Sequence, residues 1–139
     1  MGEQTSNVAG ATRALTILIV DDSAVMRALL RRVVSLSDVP VQTILEARNG
    51  REALQVMEAN HIDALFTDIN MPVMSGHELL KEVAKQDRWR DVLRVVISTD
   101  GSKLRREEAR DLKVGLYIEK PFRPEVVRDV LSEISSAAR

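Results

Sequence analysis

The sequence predicts one α/β domain, a doubly wound parallel sheet with helices on both faces, and three observations carry that reading. The chain has 139 residues, about one domain's worth at ~150 residues each. Short apolar runs alternate strictly with amphipathic helical periods from Ala14 onward, and this alternation demands right-handed crossovers between parallel strands. The first run, Ile17-Leu18-Ile19-Val20, is apolar throughout, as a strand buried on both faces requires.

Taken in order, residues 1–13 are small and polar without a period and are expected to form a disordered arm, leaving 14–139 as the domain. After the first strand, Ser23 is placed to cap a helix whose Met26, Leu29, Leu30 and Val33 form an apolar stripe, with Arg27, Arg31 and Arg32 expected on the water side. Gln42 to Glu46 reads as a weaker, flanking strand. Asn49-Gly50 reads as a turn before a second helix, which turns Ala53, Leu54 and Met57 inward and Arg51, Glu52, Gln55 and Glu58 outward. Ala64 to Thr67 is the third strand and ends at Asp68. A loop from Ile69 to Gly76 that contains Pro72 then opens a third helix with a Leu79, Leu80 and Val83 stripe. Arg94 to Ile97 is the fourth strand, and 98–102 a polar turn. Lys103 to Leu112 is mostly charged, with only Leu104, Ala109 and Leu112 to bury, so a weakly docked helix is expected there. Leu116 to Ile118 is the last strand. Pro124, at a first-turn position, starts a closing helix that buries Val126, Val127, Val130, Leu131 and Ile134.

Composition narrows the function. Twenty Lys and Arg against 21 Asp and Glu leave a net charge of −1, without the basic excess of a domain that grips nucleic acid through phosphates. No cysteine is present, which excludes disulfides, thiolate catalysis and cysteine-held metals. No apolar run approaches the ~18 residues of a membrane span, and the N-terminus lacks a signal-peptide pattern, so a cytoplasmic protein is expected. Met1-Gly2-Glu3-Gln4-Thr5-Ser6 matches the loose myristoylation pattern, but one acyl chain alone anchors only marginally.

In an open parallel sheet, ligand chemistry sits at the carboxyl ends of the strands. Asp21-Asp22 follows the first strand, Asp68 ends the third, Ser98-Thr99 ends the fourth and Lys120-Pro121 ends the fifth. Three carboxylates crowded in one crevice repel one another unless a cation sits among them, and an all-oxygen site with few protein ligands suits Mg²⁺. A lysine and a hydroxyl opposite a carboxylate supply what an incoming phosphoryl group needs, so covalent capture on a carboxylate is the chemistry implied. Each piece alone has a plainer reading, as helix caps for the acidic groups and turn residues for Ser98 and Thr99. Their joint occurrence at four strand ends argues against all of these at once.

These residues resemble the receiver domain of two-component response regulators, in its stand-alone, CheY-like form. The resemblance rests on Ile19-Val20-Asp21-Asp22-Ser23, on Asp68-Ile69-Asn70-Met71-Pro72 followed by Gly76, on Ser98, and on Lys120-Pro121-Phe122, and it covers about residues 14–136. It implies the flavodoxin-like strand order 2-1-3-4-5. It further implies Asp68 as phosphoacceptor, and Asp21, Asp22, Asp68 and the Asn70 carbonyl as the Mg²⁺ site. Ser98 and Lys120 would contact the phosphoryl group, Ser98 and Tyr117 would form the switch, and Lys120-Pro121 would be cis. Asn70 and Asp100 are placed to position a hydrolytic water, with Thr99 crowding the same approach, so these three are expected to set the phosphoryl lifetime.

The partners implied are a sensor histidine kinase and a downstream target, in the chemotaxis case a flagellar motor switch. Neither nucleic acid nor membrane is expected as a partner, the chain is expected to be monomeric, and it is expected to be a phosphoacceptor rather than an enzyme. Nothing after the closing helix is long enough for an output domain, so output by binding is expected. Two rivals remain: a phosphorelay intermediate that passes the group to a histidine phosphotransfer protein, and an aspartyl-phosphate phosphatase. The latter calls for Asp-x-Asp after the first strand, whereas Asp21 and Asp22 are adjacent. Departures from the family pattern are Thr99 in place of a small residue, Ile69 where some members carry tryptophan, and the absence of an Ala-Gly-Ala turn at Leu112 to Gly115.

Overall fold

A computed structural model describes residues 14–99 and 106–137. Five strands, β1 (Leu15–Val20), β2 (Val41–Ala47), β3 (Ala64–Thr67), β4 (Leu93–Ser98) and β5 (Val114–Glu119), pair in parallel in the order β2-β1-β3-β4-β5. The helices are α1 (Ala24–Ser35), α2 (Gly50–Ala59), α3 (Gly76–Ala84), α4 (Arg106–Asp111) and α5 (Pro124–Ala137), with a 3₁₀ turn at Asp87–Trp89. The expected strand order and alternation are therefore those observed. The N-terminal arm, Asp100, and the first residues of the expected 103–112 helix lie outside the described residues.

Strand alternation builds two apolar layers. Leu18, Val20, Leu65 and Val96 point to the face covered by Ala53 and Met57 of α2 and Leu79, Leu80 and Val83 of α3. Ile17, Ile19, Phe66, Val95 and Ile97 point to the face covered by Leu30, Val33 and Val34 of α1 and Val127, Val130 and Leu131 of α5. Each side chain fully buried in this way is worth roughly 1.5–3 kcal/mol of transfer free energy, which is why the apolar runs, rather than the weaker β2, define the sheet centre.

Local chemistry sets the helix starts. Ser23 Oγ accepts from Met26 N at 3.1 Å, and Ser75 and Glu78 form a reciprocal capping box at α3. Asn49 accepts from Glu52 N at 2.9 Å, so Asn49-Gly50 is the start of α2 and not a free turn. The α1 stripe is also rotated from the expected one. Val34 is buried and Leu29 is 43% exposed, because the sheet beneath α1 meets Leu30, Val33 and Val34 together and leaves Leu29 over the rim.

Two features were not visible in the pattern. Arg94 is fully buried in β4, its fork donating to the main-chain carbonyls of Leu112 at 3.0 Å and Trp89 at 2.9 Å; burial pushes its pKa down. It ties the end of α4 to the turn after α3. Val73 has φ 70°, and Met74 N donates to Pro72 O at 2.7 Å across it, a γ-turn of the strained kind centred on a β-branched residue. Such strain costs ~1–3 kcal/mol, and Val73 is 72% exposed, so little packing is lost on replacing it. Val73→Gly is expected to stabilise the fold by ~1 kcal/mol after the entropy of a more flexible unfolded chain is subtracted. Urea unfolding checks this, and a lower midpoint in the variant would refute the strain.

Candidate functional site

The carboxyl ends of β1, β3, β4 and β5 deliver Asp21, Asp68, Ser98 and Lys120 to one crevice. Asp21, the first residue past β1, is buried; its Oδ1 accepts from Ser23 N at 2.9 Å, and its amide donates to Ala47 O at 3.1 Å. Asp68 follows β3, its amide donating to Val20 O at 3.0 Å and its Oδ1 accepting from Ile69 N at 2.7 Å. Asp22 is exposed. One carboxylate oxygen from each of Asp21, Asp22 and Asp68 lies within 4.8 Å of the others. This is a donor set of hard oxygens alone, which fits a divalent cation of the Mg²⁺ or Ca²⁺ type and not a transition metal that prefers nitrogen or sulfur.

Lys120 closes the crevice. Its Nζ lies 2.9 Å from Asp21 Oδ2 and 3.2 Å from Asp68 Oδ2. Burial alone would push its pKa down, but the hydrogen bonds and charges of Asp21 and Asp68 outweigh burial and hold it above the ordinary lysine value. A raised folded-state value means that the pair's contribution is complete below the usual lysine range. It is lost only as pH rises through the folded pKa, well into alkali. The Lys120 amide donates to Ser98 O at 2.9 Å, which couples the lysine to the hydroxyl-bearing strand end. Ser98 is buried, Tyr117 is half-buried against the α2–α3 layer, and the Lys120-Pro121 bond is cis. Asn70 and Thr99 are exposed at the rim.

The profile of the response regulator receiver domain matches residues 17–132. The chain belongs to that family. Its relatives include chemotaxis protein CheY1 of Helicobacter pylori, 36% identical over 121 residues, covering 86% of this chain and 96% of that one. Chemotaxis protein CheY of Pseudomonas aeruginosa is 31% identical over 120 residues, covering 86% and 95%. Among solved structures, chemotaxis response regulator CheY4 of Vibrio cholerae superposes with a TM-score of 0.74 at 29% identity, covering 88% and 99%. The receiver domain of an HD domain-containing protein from Pseudomonas fluorescens gives 0.80 at 25% identity, covering 96% and 95%. As a receiver, the protein is a phosphoacceptor of two-component signalling, working between a histidine kinase and a downstream target. No helix among the described residues is long and apolar enough to cross a membrane.

The receiver departs from the sequence reading at Arg27. Its side chain, expected in water, is 14% exposed, and its Nη1 donates to the Asp21 carbonyl at 2.7 Å. No local pattern announces this contact, since its second anchor, Glu46, lies on another element. Trp89 lies in the 3₁₀ turn after α3, which leads into the amino end of β4 and so stands opposite the strand ends that form the crevice, with the Arg88 guanidinium 4.5 Å from its ring centre. Its fluorescence is therefore expected to change little on addition of Mg²⁺, the indole lying at the other end of the sheet from any group that binds there. Strong quenching in a titration would contradict that placement.

Proposed function

We propose that this receiver accepts a phosphoryl group on Asp68 from a kinase phosphohistidine and signals, in a chemotaxis-type pathway, through phosphorylation-dependent binding. The observation that carries the reading is Lys120 Nζ bridging Asp21 and Asp68 at 2.9 and 3.2 Å, inside a cluster of three carboxylates. Asp21, Asp22 and Asp68, with the Asn70 carbonyl, would hold Mg²⁺, which when bound supplies positive charge to the phosphoryl oxygens. An Asp68 carboxylate oxygen attacks phosphorus in line, the phosphorus–nitrogen bond breaks, and the imidazole leaves with its electron pair. The Lys120 ammonium and the Ser98 hydroxyl take the equatorial oxygens. Ser98 is drawn toward the phosphoryl group, and the space it vacates lets Tyr117 turn inward.

The chemotaxis assignment is supported by the names of the relatives, and a flagellar switch is the target that this assignment implies. The protein is proposed to act in the cytoplasm, as a monomer, and to catalyse nothing beyond its own phosphorylation and dephosphorylation. The tests are phosphotransfer from a panel of purified histidine kinases and the decay of the isolated phosphoprotein. At least one kinase should transfer label within minutes. Asn70→Leu should then decay several-fold more slowly than wild type, because the amide that orients the attacking water is gone. Transfer from none of the kinases, with none from a small phosphodonor either, would overturn the function. An unchanged decay would remove Asn70, and with it the Thr99 and Asp100 scheme, from control of lifetime.

A further inference from the structure

Arg27 and Arg31, on successive turns of α1, converge on one carboxylate of β2. Arg27 Nε donates to Glu46 Oε1 at 2.9 Å, and Arg31 Nε donates to Glu46 Oε2 at 2.9 Å. Arg31 Nη2 also donates to Ile44 O at 3.0 Å. Glu46 is thereby kept ionised: its partial burial pushes the carboxyl pKa up, but the hydrogen bonds and charges of Arg31 and Arg27 outweigh this and hold it below the ordinary value. The remaining arm of Arg27 reaches the Asp21 main-chain carbonyl at 2.7 Å. That carbonyl belongs to the peptide joining Asp21 to Asp22, and the preceding peptide is pinned by the Asp21 amide on Ala47 O at 3.1 Å.

We propose that Arg27, held by Glu46, is a positioning residue for the cation site, fixing the peptide plane between Asp21 and Asp22 so that both carboxylates stay turned toward Asp68. The proposal rests on the reading of Asp21, Asp22 and Asp68 as the Mg²⁺ site. Three like charges with oxygens within 4.8 Å of one another push apart, and a loop free to rotate about this peptide would swing the exposed Asp22 into water. Arg27 opposes that rotation without occupying a carboxylate oxygen, whereas Lys120 competes for two of them. The charge and the geometry of Arg27 act in opposite directions on a bound cation. A guanidinium repels Mg²⁺, so its loss by charge alone would tighten binding, while loss of the brace loosens it.

Calorimetric titration with Mg²⁺ separates these effects, alongside hydrogen exchange at the Ser23 amide, which the Asp21 carboxylate accepts. Groups that orient metal ligands typically contribute 10–100-fold in affinity. Arg27→Lys, which keeps the charge and loses the fork, should weaken Mg²⁺ binding about tenfold and speed exchange at Ser23 in metal-free protein. Arg27→Met should weaken it as well, despite removing a repelling charge. Adding Glu46→Gln to Arg27→Met should change nothing further, since Glu46 acts through Arg27. Unchanged or tighter Mg²⁺ binding in folded Arg27→Lys or Arg27→Met overturns the brace while leaving the metal site standing. If Arg27→Met fails to fold, the Arg27→Lys result decides alone. Absence of Mg²⁺ binding by the wild type, with Asp22→Ala no different, overturns the metal site and the brace together.

Discussion

Gly76→Ala is expected to cost at least ~3 kcal/mol of stability and to cripple phosphoryl uptake, although the substitution adds one methyl group at the start of a helix. A Cβ at this position would stand 1.8 Å from the Asp68 carbonyl oxygen, 2.8 Å from its carbonyl carbon and 3.0 Å from Ile69 Cα. All three are main-chain atoms and cannot rotate aside. The Gly76 amide also donates to Ile69 O at 2.8 Å, so α3 and the loop beyond β3 are locked at van der Waals distance or closer. Relief requires the peptide after Asp68 to move, and with it the hydrogen bond from Ile69 N that orients Asp68 Oδ1. Shifts of ~1 Å at a reacting group cost roughly 10²-fold in rate. Urea unfolding together with the rate of phosphorylation by a small donor checks both parts. A loss under ~0.5 kcal/mol with a normal rate would mean that the loop yields without cost, and that Gly76 does not hold the acceptor.

The layout of the sheet was legible because burial on both faces leaves a simple signature. Ile17–Val20 is apolar throughout and Ala64–Thr67 carries only a terminal threonine, and each is followed at once by an aspartate at the strand's carboxyl end. The site was legible for the same reason, since a parallel sheet gathers its strand ends whatever the helices do. Contacts between side chains of one element and main-chain groups of another leave no such trace. Arg27 belongs to an apparently solvated stripe by spacing alone, yet its partners are a carbonyl six residues back and a carboxylate 19 residues on. Arg94 sits in a strand where a charge is costly, and two carbonyls on other segments, five residues before it and 18 after it, accept from its guanidinium. Leu29 and Val34 exchanged places because a stripe read at period 3.6 fixes a helix face only to within one residue on either side. Val73 was invisible because the left-handed conformation is normally announced by glycine or asparagine.

Asp68→Asn is expected to abolish phosphoryl uptake while leaving the fold intact. The amide oxygen of asparagine can still accept from Ile69 N, as Asp68 Oδ1 does at 2.7 Å, and the loop beyond β3 keeps its other bonds. What disappears is the nucleophile, for a neutral amide neither attacks phosphorus usefully nor forms a stable acyl phosphate. Asp21 cannot take over, because it is buried where Asp68 is partly open to the crevice, with side-chain exposures of 3% and 12%. Asp22 is exposed and lies off the lysine. The decisive measurement is intact-protein mass spectrometry after incubation with a small phosphodonor and Mg²⁺. Wild type should gain a single phosphoryl group, a gain prevented by chelating the metal beforehand, and Asp68→Asn should gain none. Equal labelling of the two proteins, or labelling that maps to another residue, would contradict the assignment of Asp68 and the function built on it.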